Sequence, residues 1–178
     1  IYPTQTSRLS SDIVLCMTEF KQKIWMGTDG GGINILDPTT GNITVLEHIS
    51  GDNHSLPTNT ILCLHSDSAG NIWAGSKREG VINIREVSMR TYTNVVLGHN
   101  KGLSQSTVLQ LYQEPASEEL WIATDGGGIN KFIPSTETFV HYPDTWGDKM
   151  VSITSFTPNE LLVSAFSKGI FIFDKKTG

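Results

Sequence analysis

Short apolar runs alternate with turn-forming residues along the chain. The second quarter shows the pattern most clearly, with apolar runs at residues 60–65, 71–75, 80–84 and 90–94. Glycine, aspartate, serine and charged residues separate these runs and favour tight turns. Since no window of ten or more residues has an apolar period near 3.6, the pattern predicts antiparallel strands and no substantial helix. We therefore expect an all-β protein.

One segment recurs four times, at residues 23–37, 71–85, 119–133 and, in a more divergent form, 160–174. The first three copies share a tryptophan, and all four share a glycine after the central turn. Four short strands in each repeat of roughly 40 to 50 residues, with tryptophan and glycine at fixed places, are typical of propeller blades. The predicted fold is a β-propeller fragment of about four four-stranded antiparallel blades.

The repeat predicts blades at about residues 9–48, 56–96, 103–142 and 147–178. The last blade ends before its own outermost strand, and residues 1–8 are expected to form the outermost strand of a preceding or closing blade. Open blade faces expose apolar surface and unpaired strand edges. We therefore expect either closure of a small ring or self-association, and prefer the latter.

Charge and cysteine content narrow the possible functions. The net charge of −5 comes from scattered acids, with no basic run that would favour nucleic acid. No segment reaches the roughly 18 apolar residues of a membrane span.

Cys16 and Cys63 occupy equivalent places in successive inner strands, and we expect both to be free and buried. No motif indicates a metal or a cofactor.

The sequence does not favour catalysis. The five histidines occur singly, and no nucleophile motif accompanies them. The glycine runs at 30–32 and 126–128 lack the residues of a phosphate-binding loop and are interpreted as turns. Asp29 and Asp125 occupy equivalent turns of blades one and three, so the intervening blade is expected to separate them too far for a glycosidase pair. We expect no enzyme activity.

Candidate ligand-binding residues lie in the turns between the second and third strands. These turns and the links between blades emerge on the same face, which brings Lys168 and the links at 48–54 and 99–101 to the same rim. Loops that vary on a constant scaffold are where binding specificity resides. An aromatic ring in the link at 142–148 would provide a stacking platform for a sugar, or alternatively would fill a packing gap. The predicted ligand-binding residues are Trp146, Asp29, Lys77, Arg78, Glu79 and Asp125.

The tryptophans at the repeat positions are interpreted differently from the one in the link. Trp25, Trp73 and Trp121 recur at one place in successive blades, which indicates packing between neighbouring sheets.

Residues 27–32, 37–41, 56–61 and 67–73 strongly resemble the two-component regulator propeller repeat. The likeness covers about residues 9–174, although the fourth copy departs from the pattern. The resemblance implies a periplasmic sensor domain of a hybrid two-component protein from polysaccharide-degrading gut bacteria. The histidine kinase, the phosphorelay domains and the membrane anchor would lie downstream, so this fragment would contact neither nucleic acid nor membrane.

The resemblance implies that the chain senses a ligand, with an oligosaccharide as the expected class. Two alternatives remain open. The first is a protein-interaction or dimerisation scaffold without a small-molecule ligand, which would show a larger and flatter apolar patch. The second is a propeller glycosidase or lyase, which would require paired carboxylates in a cleft.

Overall fold

Alternating apolar and polar residues form antiparallel strands throughout the chain. The computed structural model describes residues 4–6, 8–52, 54–85, 88–94, 101–115 and 117–178. Within these ranges, the only helix is a single 3-10 turn, Pro143–Thr145, so the predicted all-β class is confirmed. In chain order the strands are β1 (Thr4–Thr6), β2 (Val14–Phe20), β3 (Lys23–Thr28), β4 (Ile33–Leu36), β5 (Ile43–Leu46), β6 (Ile61–Ser66), β7 (Ile72–Ser76), β8 (Val81–Arg85), β9 (Ser88–Tyr92), β10 (Val108–Gln113), β11 (Leu120–Thr124), β12 (Ile129–Ile133), β13 (Thr138–His141), β14 (Met150–Thr157), β15 (Glu160–Ala165) and β16 (Gly169–Asp174).

The strands form four antiparallel sheets, each built from strands that follow one another along the chain. Blade one has the order β1-β5-β4-β3-β2, blade two β6-β7-β8-β9, blade three β10-β11-β12-β13 and blade four β14-β15-β16. Contacts between β2 and β6, β6 and β10, and β10 and β14 hold the innermost strands of successive blades together. This is the radial stacking of a propeller, with one core between each pair of neighbouring blades. No helix in the described part of the chain has the length and apolar character needed to cross a membrane.

The amino-terminal segment differs from the expectation that residues 1–8 complete a preceding or closing blade. Thr4–Thr6 pairs with Ile43–Leu46 and adds a fifth strand to the outside of blade one. The outer edge of β5 presents unpaired backbone groups, which this nearby strand satisfies. The comparison of Ile1 and Tyr2 with other outermost strands falls outside the described residues. In the described part of blade four, β16 is the outermost strand.

Every innermost strand contains a β-bulge at the same place. The register shifts between Val14 and Cys16 in blade one, and the corresponding shifts in the other blades lie between Ile61 and Cys63, Val108 and Gln110, and Met150 and Ser152. A bulge inserts one unpaired residue and redirects its side chain. The inserted residues are Leu15, Leu62, Leu109 and Val151.

The repeat tryptophans pack unequally between blades. Trp73 and Trp121 are 4% and 2% exposed, as expected for inter-blade packing. Trp25 also packs against the core between blades one and two, but it is only half-buried, so the predicted burial is incomplete in blade one. The reason lies in the residues that face it from the neighbouring strands.

Both cysteines are free, as expected, but only Cys63 is buried, whereas Cys16 is half-buried. Each thiol fills the space beside a glycine: a Cβ on Gly27 would lie 2.5 Å from Cys16 Sγ, and one on Gly75 would lie 2.3 Å from Cys63 Sγ. Burial raises the pKa of Cys16 to about 11 and also raises the pKa of Cys63. The thiols therefore stay protonated at neutral pH and act as small apolar groups.

Candidate ligand-binding rim

The turns between the second and third strands share one closing device in blades one to three. A threonine or serine hydroxyl at the end of the second strand donates to the carbonyl of the glycine that closes the turn, as in Ser76 Oγ to Gly80 O at 2.9 Å. The matching bonds in the other blades are Thr28 to Gly32 and Thr124 to Gly128. The closing glycine has a positive φ, and a Cβ on Gly80 would lie 1.9 Å from Tyr92 O. These two positions are structural, so variation is confined to the three residues between them.

In blade one, the exposed Ser10 and the buried Asn34 form a hydrogen-bonded pair that holds the last of those three residues. Ser10 N donates to Asn34 Oδ1 at 2.9 Å, Asn34 Nδ2 donates to Ser10 Oγ at 2.6 Å, and Ser10 Oγ donates to Gly31 O at 2.5 Å. We call this arrangement the Ser–Asn clamp. A Cβ on Gly31 would lie 2.5 Å from Ser10 Oγ, so the clamp leaves room only for glycine.

Blade three repeats the Ser–Asn clamp with Ser104, Asn130 and Gly127. The corresponding distances are 2.9, 2.8 and 2.6 Å. A Cβ on Gly127 would lie 2.5 Å from Ser104 Oγ and 2.6 Å from Gln105 Cβ. The clamp thus explains why both blades carry glycine at the third turn residue, Gly31 or Gly127.

Blade two has no Ser–Asn clamp, because Pro57 and Ile82 replace its serine and asparagine. Ile82 is fully buried in the apolar core, and Glu79 occupies the place of the clamped glycine. Arg78 has φ +82° where Gly30 and Gly126 have +82° and +90°. The left-handed conformation costs a residue with a Cβ about 1 to 2 kcal/mol. Blade two therefore displays charged side chains on a turn whose backbone favours glycine.

The charged turn of blade two borders a depression that we call the blade-two depression. Its volume is about 300 Å³, and its lining residues are Thr58, Thr60, Lys77, Arg78 and Glu79. Lys77 N donates to Thr60 O at 3.2 Å, which ties the turn to the innermost strand. Two hydroxyls, two cations and one carboxylate thus face a common space.

A second depression, the central depression, adjoins the first and shares Thr60 and Lys77 with it. It encloses about 230 Å³ and has a floor of Leu15, Leu62 and Leu109, the residues that the bulges redirect. Asp29, Asp125, Thr107 and Lys149 complete its lining. Although blade two is expected to separate the two aspartates, both line this one depression.

Both carboxylates of the central depression have identified partners. Asp125 Oδ2 lies 3.2 Å from Lys149 Nζ, and Asp29 Oδ1 accepts from Thr60 Oγ1 at 3.0 Å. Negative and positive side chains from successive blades thus alternate around an apolar floor. Such a surface offers hydrogen-bond donors, acceptors and an apolar contact to a polyhydroxyl ligand. Within the described ranges, no group of three or more acidic, cysteine or histidine side chains could hold a metal ion.

Trp146 lies on the same face but lines neither depression. It follows the 3-10 turn and is 53% exposed. The N–H of Gly147 donates to Gly126 O at 2.9 Å, which ties the link to the turn of blade three. The structure therefore groups Asp29, Lys77, Arg78, Glu79 and Asp125 in two adjoining depressions and places Trp146 apart from them.

The other residues expected at this rim have local roles. Lys168 pairs with Asp148 at 2.7 Å, and His48 Nδ1 lies within hydrogen-bond distance of Leu56 O. His99 falls outside the described residues. Lys149 and the three leucines were not predicted, because Lys149 lies in a link before β14 and strand alternation does not reveal the bulges that redirect the leucines.

Comparison with known proteins confirms the family resemblance. Residues 55–78 match the sequence model of the two component regulator propeller family. No curated protein matches the chain. The extracellular domain of a putative hybrid two component system from B. thetaiotaomicron is 23% identical, with a TM-score of 0.82 over 94% of this chain and 24% of that chain. This chain therefore spans about a quarter of the length of that domain.

Two further solved structures share the fold. The computationally designed protein Ika4 is 16% identical, with a TM-score of 0.64 over 94% of this chain and 92% of that one. Virginiamycin B lyase from Staphylococcus aureus is 15% identical, with a TM-score of 0.61 over 99% of this chain and 60% of that one. At these identities the likeness establishes the propeller architecture alone.

Proposed function

Starting from a chain that carries a two-component regulator propeller repeat, we propose that it is the ligand-sensing part of an extracytoplasmic, periplasmic domain in a hybrid two-component signalling protein. The proposed ligand is an oligosaccharide. One observation carries the proposal: charged residues from several blades meet at two adjoining depressions on one face, and one of them, Arg78, occupies a conformation that favours glycine. Strain of this kind is retained where function requires a particular side chain.

The chemistry of the rim suits a sugar. Hydroxyl groups both donate and accept hydrogen bonds, and alternating carboxylates and ammonium or guanidinium groups satisfy both roles. The leucine floor of the central depression would contact the apolar C–H face of a pyranose ring. Trp146 would stack on a sugar unit that extends beyond the depressions, which makes a ligand of several units more suitable than a monosaccharide.

The proposal is tested by finding the ligand and then removing its contacts. Neutral, uronic and sulfated oligosaccharides would be screened by thermal shift, because a ligand that binds only the native state raises its stability. For a confirmed ligand, calorimetry should show that Arg78→Ala and Trp146→Ala each weaken binding by about tenfold or more. The melting temperature should fall by no more than a few degrees, as expected for exposed positions.

Two matched variants control for nonspecific effects. Arg90→Ala removes an exposed arginine from an outer strand, and Phe156→Ala removes an aromatic side chain that is 54% exposed outside the rim. Both should leave the affinity unchanged. Unchanged affinity in the Arg78 and Trp146 variants as well would reject this rim and favour a scaffold role.

A protein-interaction or dimerisation scaffold is the second candidate, and exposed apolar side chains on the end blades favour it. Met17 of blade one is 67% exposed, and Phe166 and Ile170 of blade four are 79% and 70% exposed. Such side chains form an apolar surface suited to another sheet. Light scattering should show an assembly larger than one chain that Ile170→Asn weakens, whereas a monomer at all concentrations would reject self-association.

A glycosidase or lyase is the third candidate, favoured by the presence of Asp29 and Asp125 in one depression. Both carboxylates are already engaged, since Asp125 Oδ2 lies 3.2 Å from Lys149 Nζ and Asp29 Oδ1 accepts a hydrogen bond from Thr60 Oγ1 at 3.0 Å. We therefore propose no catalytic role for either aspartate. Incubation with the oligosaccharide panel, followed by mass spectrometry, should show no cleavage product.

A further inference from the structure

The interface between blades one and two lacks an aromatic pair that fills the other two interfaces. Trp73 stacks on Tyr92 with ring centroids 6.4 Å apart, and Phe132 packs edge-on against it at 5.5 Å. Trp121 is covered in the same way by Tyr142 and Phe173, at 5.7 and 5.9 Å. These rings bury the two tryptophans.

Strand register identifies the corresponding residues beside Trp25. Leu46 pairs with Ile33 as Tyr92 pairs with Val81. Ile84 pairs with Ile72 as Phe132 pairs with Leu120. Two aliphatic side chains thus stand where the other interfaces carry a tyrosine and a phenylalanine, and they do not fill the same volume.

The missing rings leave a cavity of about 340 Å³ beside the half-buried Trp25, which we call the inter-blade cavity. Its walls are mainly apolar and include Phe20, whose ring packs edge-on against Trp25 with centroids 6.1 Å apart. A cavity of this size lies in the range that binds small molecules, about 300 to 1,000 Å³. It lies near the β2–β3 and β6–β7 turns, at the opposite end of the strands from the rim.

The charged residues around the inter-blade cavity have one sign. Lys21, Lys23 and Arg85 line it, and among the described residues of its lining none is acidic. Arg85 Nε donates to Asn83 Oδ1 at 2.8 Å, so its guanidinium is directed toward the depression beside Trp73, which Arg85 also lines. The corresponding depression beside Trp73 is different, because its lining includes Asp67, Glu118 and Glu137.

We propose that the inter-blade cavity binds a small anion with an apolar ring, which stacks on Trp25 while its carboxylate or sulfonate group faces Lys23. An apolar wall, one open aromatic face and cations at the edge form a complementary site for such a molecule. The site is separate from the rim and does not depend on oligosaccharide binding there.

The charge requirement is tested with 2-naphthoate and its uncharged analogue 2-naphthamide as probes. Calorimetry on the protein should show naphthoate binding about tenfold or more tightly than the amide at low ionic strength. The variant Lys23→Gln should bind naphthoate about as weakly as the amide. Equal affinities for the two probes in the unchanged protein would overturn the anionic part of the proposal.

The location is tested by restoring the missing rings. Ile84→Phe and Leu46→Tyr each introduce the residue found at the other two interfaces, so each should weaken naphthoate binding by about tenfold or more without lowering the melting temperature. Ile170→Asn, on the exposed face of blade four, should leave binding unchanged and so exclude adsorption there. Arg78→Ala should also have no effect, which separates this site from the rim.

Unchanged naphthoate affinity in folded Ile84→Phe and Leu46→Tyr proteins would overturn the location. If neither variant folds, Trp25→Leu decides the question, because it keeps an apolar side chain and removes the stacking face. Loss of naphthoate binding in a folded Trp25→Leu protein supports the site, and retention rejects it.

Discussion

Blades one and three hold the turn between their second and third strands with buried polar groups, whereas blade two holds it with an apolar core. In the first case Asn34 or Asn130 bonds to a serine, whose hydroxyl donates to the turn carbonyl of Gly31 or Gly127. In the second case Ile82 fills the same position without exposure. The backbone path is alike, but only the apolar version leaves room for a side chain at the third turn residue, which is Gly31, Glu79 or Gly127 in blades one to three.

The comparison shows that a buried residue decides what a surface turn can display. Serine, asparagine and glycine occur together in blades one and three, and proline, isoleucine and glutamate replace them together in blade two. A buried asparagine without its serine would leave donors unsatisfied, and a serine clamp beneath Glu79 would collide with the side chain. The three positions therefore change as a unit, and only blade two displays a side chain at the third turn residue.

The largest expected effect comes from placing a side chain on a clamped turn. Gly127→Ala should reduce the free energy of unfolding by about 3 kcal/mol, because its Cβ would meet Ser104 Oγ, Gln105 Cβ and backbone at 2.5 to 2.9 Å. The matched change Glu79→Ala, at the unclamped turn, should cost within about 0.5 kcal/mol. Urea denaturation of both variants measures the difference, and equal effects would contradict the role of the clamp.

Removing the clamp itself should have a somewhat smaller effect. Asn130→Ala should cost about 2 kcal/mol, since Asn130 is fully buried and bonds to both Ser104 N and Ser104 Oγ. Ile82→Val, which trims the apolar counterpart, should cost about 1 kcal/mol. Chemical denaturation would compare the two, and an Asn130 variant as stable as the unchanged protein would show that the clamp contributes no net stability.

The repeat made the fold accessible from sequence. The recurring Trp and Gly positions predicted the blades and the turn between the second and third strands of each. They also predicted the face of the propeller on which these turns lie. Contacts between individual side chains were harder to predict, because they depend on which residue the neighbouring strand or blade carries at the equivalent position. The half-buried Trp25 results from Leu46 and Ile84, which lie far from it in sequence and look unremarkable as strand residues.

The rim was only partly predictable for a similar reason. Periodicity placed Asp29, Lys77 and Asp125 on one face, but only the bulges bring Leu15, Leu62 and Leu109 beneath them. A bulge adds one residue to a strand without changing its composition, so alternation alone cannot locate it. The pairing of Thr4–Thr6 with β5 was likewise not predicted, because the local sequence does not show which unpaired strand edge this segment joins.

A third change sharpens the comparison at the backbone of blade two. Arg78→Gly should increase the free energy of unfolding by about 1 kcal/mol, because glycine adopts φ +82° without the penalty that a Cβ incurs. The reverse change, Gly126→Arg in blade three, should decrease it by a similar amount. Thermal and urea unfolding measure both, and a destabilised Arg78→Gly protein would mean that the arginine side chain stabilises the fold.

The smallest effect concerns His65, which faces Trp73 where blade three has Tyr112 facing Trp121. Burial lowers the pKa of His65 below its ordinary value of 6.5, and a hydrogen bond that His65 donates to Gln113 and the charge of Asp67 oppose this only in part. As the pH decreases, His65 therefore takes up a proton in the unfolded chain before it does so in the folded protein. The free energy of unfolding is highest above about pH 6.5 and decreases as the pH falls through and below that value. Partial exposure limits the loss between pH 7 and pH 5 to about 0.5 kcal/mol. His65→Tyr should remove that loss in urea titrations at the two pH values, whereas His54→Gln, at a side chain that is 79% exposed, should retain it; an unchanged pH dependence in His65→Tyr would assign the effect to another group.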